Sequence, residues 1–306
     1  MPVASIDRLH GIISGSNVIT EFTGLEVSPR MDLFLANSAG MVDPLFVANR
    51  GLRPDFSFGT PQLKSALDIS GVTIADLSSG NTDLIFRAGE DAAAMAAAAT
   101  TSGHRFRAAA GIFEVTSVSA GHRTEASAQC RMICAYDGTN VPLVYTGSVA
   151  TSSITPASAL HYLAGPCFLN GTQINAIQSI QIDFGRQVLQ IGSDGELYDT
   201  FNCEIEARPT ITITAINTGG WSTTGITGVA VTSGSFYFRK MGAVGPVADA
   251  TAGHVKFAVT NGLACIENTS GDGRTPNMTT FKIYPVAASA TAKALVLTST
   301  AVAITS

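Results

Sequence analysis

The sequence predicts a mainly β protein built from two tandem, similar units. Three observations carry this. Short segments of strict polar–apolar alternation, rich in β-branched residues, recur along the chain. Gly- and Asp-rich turn signals separate them. A set of short matches also recurs in the same order at an offset of about 150 residues, the mark of an internal repeat.

In chain order, "TPQLKSALD" (60–68) predicts a short helix, with a Thr cap and Pro at the first helical position. "TDLIFRA" (82–88) reads as a strand. "EDAAAMAAAAT" (90–100) has helix propensity and two acids in its first turn. "GIFEVTSV" (111–118), "AQCRMICAY" (128–136) and "PLVYTGSV" (142–149) complete the strands of the first half. In the second half, "IQSIQIDF" (177–184) sets Ile180, Ile182 and Phe184 on one face and Ser179, Gln181 and Asp183 on the other. "PTITITAI" (209–216) alternates Ile211 and Ile213 with Thr210, Thr212 and Thr214. "GSFYFRK" (234–240), "HVKFAV" (254–259), "TTFKIYPV" (279–286) and "ALVLTSTAVAI" (294–304) are further strands. "MGAVGPVADAT" (241–251) stands where the first half has its Ala-rich segment, but carries Gly and Pro. The expected architecture is two similar β-sandwich or partly closed barrel units, each with one or two short helices.

The repeat rests on collinear matches. "GMVDPLFVANRGLRP" (40–54) echoes "GELYDTFNCEIEARP" (195–209), pairing Arg53-Pro54 with Arg208-Pro209 at an offset of 155. "LIFR" (84–87) meets "FYFR" (236–239), and "PLVYT" (142–146) meets "ALVLT" (294–298), both at 152. "GHRF" meets "GHVKF", pairing His104 with His254. The copies span roughly 8–150 and 163–306. Domains are placed at 1–150 and 163–306, with a Thr/Ser-rich linker at 151–162.

Composition narrows the function. Only 13% of residues are charged, about half the usual share, and the net charge is −5. A monomer so poor in charge is sticky, which suits a surface buried against other copies. No Lys/Arg stripe is present, so phosphate-gripping DNA or RNA binders are disfavoured. The five cysteines form no metal-type C-x-x-C pair, and "MPVASIDRLHGIIS" shows no basic region followed by an apolar one. Free, mostly buried thiols in a reducing cytosol are expected. No apolar run approaches the ~18 residues of a membrane helix.

Chemistry-bearing motifs are scarce. There is no G-x-S-x-G, H-E-x-x-H, P-loop or G-x-G-x-x-G. His104 and His254 are read as strand-start residues bonding a neighbouring loop, with a duplicated base or ligand as the alternative. "GSDGELYD" (192–199) and "SGDGR" (270–274) read as Asp-Gly turns rather than Ca²⁺ loops. Cys130 and Cys134 share a strand face about 13 Å apart, too far for a disulfide or a shared metal. Trp221 is an interface anchor or a satellite core contact. No catalytic residue, metal or cofactor is expected, and the chain is not read as an enzyme.

One stretch resembles a known family. "LNGT", "IQSIQIDFG", "SDGELYDTF" and "RPTITI" within 165–215 look like the tail tube, or major tail, proteins of long flexible-tailed bacteriophages. "AYDGTNVPLVY" (135–145) resembles their C-terminal strand, and "LEVSPRMDLFLANSAG" (25–40) a degraded form of the "IQIDFG" region. The resemblance implies a tail-tube β-sandwich whose subunits join edge to edge in six-fold rings that stack into a hollow tube. Two folds per chain then imply three chains per ring. Four strands from each fold give a 24-stranded inner barrel, with a backbone diameter on the order of 45 Å. Its lumen of about 35 Å passes a duplex. A conduit wall should be neutral to acidic, since cations would hold the DNA. The expected lumen residues are Glu26, Ser28, Ser179, Gln181, Asp183, Glu204 and Glu206. Hairpins such as 185–205 would be stacking arms.

The implied partners are further copies of the chain, a tape measure protein, a tail terminator and baseplate or distal tail proteins. Double-stranded DNA would pass without specific binding, and no membrane is involved. The protein would assemble in the bacterial cytoplasm and reside in the virion tail. The rival readings are another phage ring protein, such as a tail terminator or decoration protein, and a tandem β-sandwich binding module.

Overall fold

The computed structural model describes residues 6–15, 17–36, 39, 42–44, 46–73, 75–76, 82–89, 103–149, 161–193, 195–217, 227–272 and 276–305. The expected Ala-rich helix (90–100), Trp221, Asp194 and most of the expected linker lie outside the described residues.

The chain is mainly β, and among the described residues its strands pair antiparallel, the one parallel pairing being the isolated bridge of Leu52 with Tyr198. The first half contains β1 (Ile6–Ser14), β2 (Asn17–Ile19), β3 (Thr23–Ser28), β4 (Met31–Ala36), β5 (Phe46–Leu52), β6 (Asp55–Thr60) and α1 (Leu63–Ser70). It continues with β7 (Ala75–Asp76), β8 (Thr82–Gly89), β9 (Gly103–Ala108), β10 (Ala110–Gly121), β11 (Ser127–Ala135) and β12 (Leu143–Val149). The second half contains β13 (Tyr162–Leu169), β14 (Thr172–Asp183), β15 (Arg186–Ile191), β16 (Phe201–Ala207), β17 (Thr210–Asn217) and β18 (Val229–Val231). It ends with β19 (Gly234–Lys240), β20 (His254–Val259), β21 (Gly262–Ser270), β22 (Met278–Pro285) and β23 (Val296–Val302).

The pairing scheme of the first half recurs in the second. One sheet runs β12-β9-β8-β1-β2, and its counterpart runs β23-β20-β19-β13 to the first part of β14. A second sheet runs β10-β11-β6-β3, and its counterpart β21-β22-β17 to the last part of β14. Each half adds one separate hairpin, β4–β5 and β15–β16. Registers agree as well. Val27 opposite Phe56 opposite Met132 opposite Phe113 corresponds to Ile182 opposite Ile211 opposite Ile283 opposite Ala264. Irregularities fall at matching places: Val115/Ser117 and Ile266/Asn268 in one pair, Asp32/Leu33 and Gln187/Val188 in the other.

Where the first half breaks into β2 and β3, the second uses one bent strand. β14 pairs β13 at 172–174 and β17 from Asn175 onward, and Ala176 at its corner has φ 55°. Such a strand changes sheets by bending. Both hairpins start on a left-handed residue, Arg30 (φ 41°) and Gly185 (φ 55°). Their carbonyls accept the Arg53 and Arg208 amides, respectively. A side chain at 185 would meet the Arg208 carbonyl at 2.2 Å, so only Gly fits there.

The core lies between the sheets. Ile12, Phe56, Phe58, Phe113 and Met132 are buried in the first half, and Ile180, Ile182, Ile211, Phe236 and Phe257 in the second. Each such side chain contributes about 1.5–3 kcal/mol. The expected face of "IQSIQIDF" and the Ile face of "PTITITAI" are both buried.

The helix expectations need correction. α1 begins at Leu63, not at Pro61, and Gln62 is its N-cap. Thr60 is instead the end of β6, and its hydroxyl accepts the Gln62 amide at 3.1 Å. The Gln62 side chain bonds the amide and hydroxyl of Thr20, which ties the helix start to the end of β2. The second half has no helix among the described residues. Its 241–251 segment is a turn with a Met241–Pro246 bridge, because Gly242, Gly245 and Pro246 oppose a helix.

Candidate functional site: one seam and two open edges

The two halves meet along a strand ladder. β10 pairs β14 antiparallel, with Ser117 opposite Asp183, Val118 opposite Ile182, Ser119 opposite Gln181, Ala120 opposite Ile180 and Gly121 opposite Ser179. The ladder is extended by the His122 amide on the Gln178 carbonyl (2.8 Å) and the Phe184 amide on the Thr116 carbonyl (3.0 Å). Val118, Ile180 and Ile182 are fully buried beneath it. Four strands from each half thereby become one continuous eight-stranded layer.

Each end of that layer has a partly or wholly open edge among the described residues. β3 pairs only β6. β21 pairs β18 on its outer side, but only over Gly262, Leu263 and Ala264. Unpaired strand edges are templates for another strand. Large apolar side chains are exposed near the same two ends. Met31, Leu33, Leu35, Phe46 and Val47 lie on β4–β5, and Leu263, Met278 and Tyr284 on β21 and β22.

Charge is concentrated where β15–β16 crosses β10. Arg186 is buried, with its Nε 3.6 Å from Glu204, and its guanidinium lies over the Phe184 ring. Glu114, also buried, is 4.0 Å from Arg131, which pairs Asp55 at 2.9 Å. Burial raises the Glu114 carboxyl pKa, and the charges of Arg131 and Arg186 oppose that rise. Burial lowers the Arg186 pKa against the pull of Glu204 and Glu114. The tip of the hairpin locks onto the first half. The Leu52 amide donates to the Leu197 carbonyl (2.9 Å), the Tyr136 amide to that of Asp199 (3.3 Å), and Arg53 pairs Asp199 at 2.7 Å. A groove of about 510 Å³ between the hairpins is lined by Asp32, Arg50, Arg53, Glu196 and Asp199. Arg50–Asp32 and Arg53–Asp199 are already paired, so it reads as a crossing of structural elements.

Of the seven expected lumen residues, the structure brings five onto one face of the eight-stranded layer. Ser179, Gln181 and Asp183 on β14, and Glu26 and Ser28 on β3, lie opposite the core face. Rows of polar side chains cross it, such as Ser119, Gln181, Thr212 and Lys282. Its cations are held by carboxylates: Lys282 by Glu267 (3.3 Å) and Arg131 by Asp55. Glu204 and Glu206 are not on that face. They sit on the separate β15–β16 hairpin, where Glu206 bonds Arg208 at 2.6 Å and Glu204 faces Arg186.

The two histidines differ. His254 is buried, accepting the Lys240 amide at Nδ1 (3.0 Å) with Nε2 3.3 Å from the Ala248 carbonyl. His104 packs against the Tyr145 ring. The ladders set them one residue apart: Phe86 lies opposite His104, but the corresponding Phe238 lies opposite Val255. Arg53-Pro54 and Arg208-Pro209 each follow the second strand of a hairpin. All five cysteines are free. Cys130, Cys134 and Cys167 are buried, Cys203 is exposed and Cys265 half-buried. Burial pushes the Cys167 thiol up to about 12. Among the described residues there is no metal-ligating cluster, and no helix is long and apolar enough to cross a membrane. Neither the family models nor the curated proteins compared with the chain give a match.

Sequence reasoning missed the seam and its Glu114–Arg186 charges. The alternation of 111–118 and 177–184 identified both strands, but nothing local marks which strand lies beside which.

Proposed function

We propose that the chain is a duplicated tail-tube protein, three copies of which close a pseudo-six-fold ring of a bacteriophage tail tube. One observation carries this reading: the seam already joins two sheets of matching topology and register edge to edge. The layer ends, β3 and β21, are the counterparts of the two strands that meet in the seam. A neighbour can therefore add by repeating an existing joint, a head-to-tail association that closes into a ring. Eight strands per chain from three chains make a 24-stranded barrel, the size that the resemblance implies. Its polar wall would bear Glu26, Ser28, Ser179, Gln181 and Asp183, with cations neutralised by neighbouring carboxylates. DNA would slide past such a wall rather than stick to it. The low charge content fits a chain whose surface is largely covered by copies.

Negative-stain electron microscopy, with light-scattering mass on the same sample, tests the proposal. Rings or stacked tubes with three chains per layer are expected. Compact particles of 31.6 kDa at every concentration would sink it.

A further inference from the structure

We infer that chains join through an antiparallel ladder between residues 268–271 of β21 and its continuation in one copy and residues 25–28 of β3 in the next. The inference rests on the ring reading and adds its register. Ser117 and Asp183 in the seam correspond to Asn268 and Ser28, by the shared registers of the two sheets. Copying the seam places Asn268 opposite Ser28, Thr269 opposite Val27, Ser270 opposite Glu26 and Gly271 opposite Leu25.

Three independent features fit a second copy as the occupant. β7 covers β10 only at Ile112 and Phe113, and β18 covers β21 only at Gly262, Leu263 and Ala264, so the same downstream stretch is left for a partner in both. That stretch is filled by β14 in the first half. In the second, Asn268, Thr269 and Ser270 are exposed. Burial differs in the sense a missing neighbour predicts. Val118 and Ala120 are buried in the seam, whereas their counterparts Thr269 and Gly271 are exposed. The chemistry of the outer joint also differs from that of the seam. Glu114 and Arg186, two buried charges that attract each other across the seam, have Cys265 and Met31 as counterparts, so neither charge is present at the outer joint. Met31 is 54% exposed, consistent with a side chain awaiting cover. An apolar joint spares two copies the cost of burying charges each time they meet.

Disulfide trapping tests the register. Directly opposite Cα atoms lie about 4.5–5.5 Å apart, within disulfide reach, whereas diagonal neighbours at about 7–8 Å are not. The exposed thiol and the half-buried one are first removed as Cys203→Ser and Cys265→Ala, the latter keeping the joint apolar. Glu26→Cys with Ser270→Cys should then give covalent dimers and closed trimers under mild oxidation, at least ten-fold faster than Ser28→Cys with Ser270→Cys. If the first pair does not fold, Asn268→Cys with Ser28→Cys tests the same register. Trimer mass with no in-register cross-link, or with faster off-register linking, overturns this joint but leaves the ring standing. Monomers throughout overturn both.

Discussion

At the residue scale, Arg186 and Glu114 are charged side chains buried next to the seam. Glu114 relies on Arg131 of the neighbouring strand and on Arg186 of the other half, and Arg186 on Glu204 of its own hairpin and on Glu114. Removing one partner of a buried pair leaves an uncompensated charge. Arg186→Met should cost about 3 kcal/mol at pH 7, the low end for such a loss, because Arg131 still faces Glu114. The sign of the pH dependence follows from burial. Glu114 keeps its proton to higher pH in the native chain than in the unfolded one. Stability linked to that proton is complete below about pH 4 and falls as pH rises through the raised native value. Arg186→Met removes a charge that holds the native value down, so its penalty should grow with pH. Urea denaturation of wild type and variant at pH 4 and pH 7 measures this, and an equal loss at both would remove Glu114 from the explanation.

At the scale of elements, the β15–β16 hairpin is a clasp rather than a free arm. Its tip adds a parallel bridge from Tyr198 to Leu52, stacks Tyr198 on Tyr136 and pairs Asp199 with Arg53. Asp199 is largely buried but Arg53 is 59% exposed at its side chain, so the pair is worth no more than about 1 kcal/mol. Asp199→Ala should speed hydrogen exchange at the Leu52 amide roughly five-fold while leaving global unfolding nearly unchanged. Unaltered exchange there would mean that the backbone bonds alone hold the clasp. Strands of this kind were legible in the sequence because alternation is local. Ile180 and Ile182 against Gln181 and Asp183 leave only one face for the core. The true start of α1 was not legible, because Thr60 and Pro61 satisfy a local capping rule that the β6–β11 ladder overrides. Glu204 and Glu206 also alternate on a strand, yet their hairpin leaves the layer. The sequence pattern specifies two faces for a strand but not the sheet it joins.

At the scale of the whole molecule, the polar face of the eight-stranded layer is the part on which the conduit reading depends. Glu26 and Gln181 occupy corresponding places in the two halves, each opposite a counterpart pair, Ser57 and Thr212. In a ring of three chains they would form one belt of six side chains. Replacing both with lysine, as Glu26→Lys with Gln181→Lys, would turn that belt cationic without touching the core. Cations facing duplex DNA release counterions and bind it in a strongly salt-dependent way. Tubes of the variant should therefore retain short duplexes at low salt and lose them by a factor on the order of 10³ between 50 and 200 mM salt, the loss typical of about six phosphate contacts. Wild-type tubes should retain none. Filter binding with labelled duplex reads the affinity, and nuclease digestion reads the location. Duplex held inside the barrel is shielded from a bulky nuclease, whereas duplex on an outer wall is cut. Binding with full nuclease sensitivity would place this face outside the tube, and no added binding would mean that the belt does not line a space DNA enters.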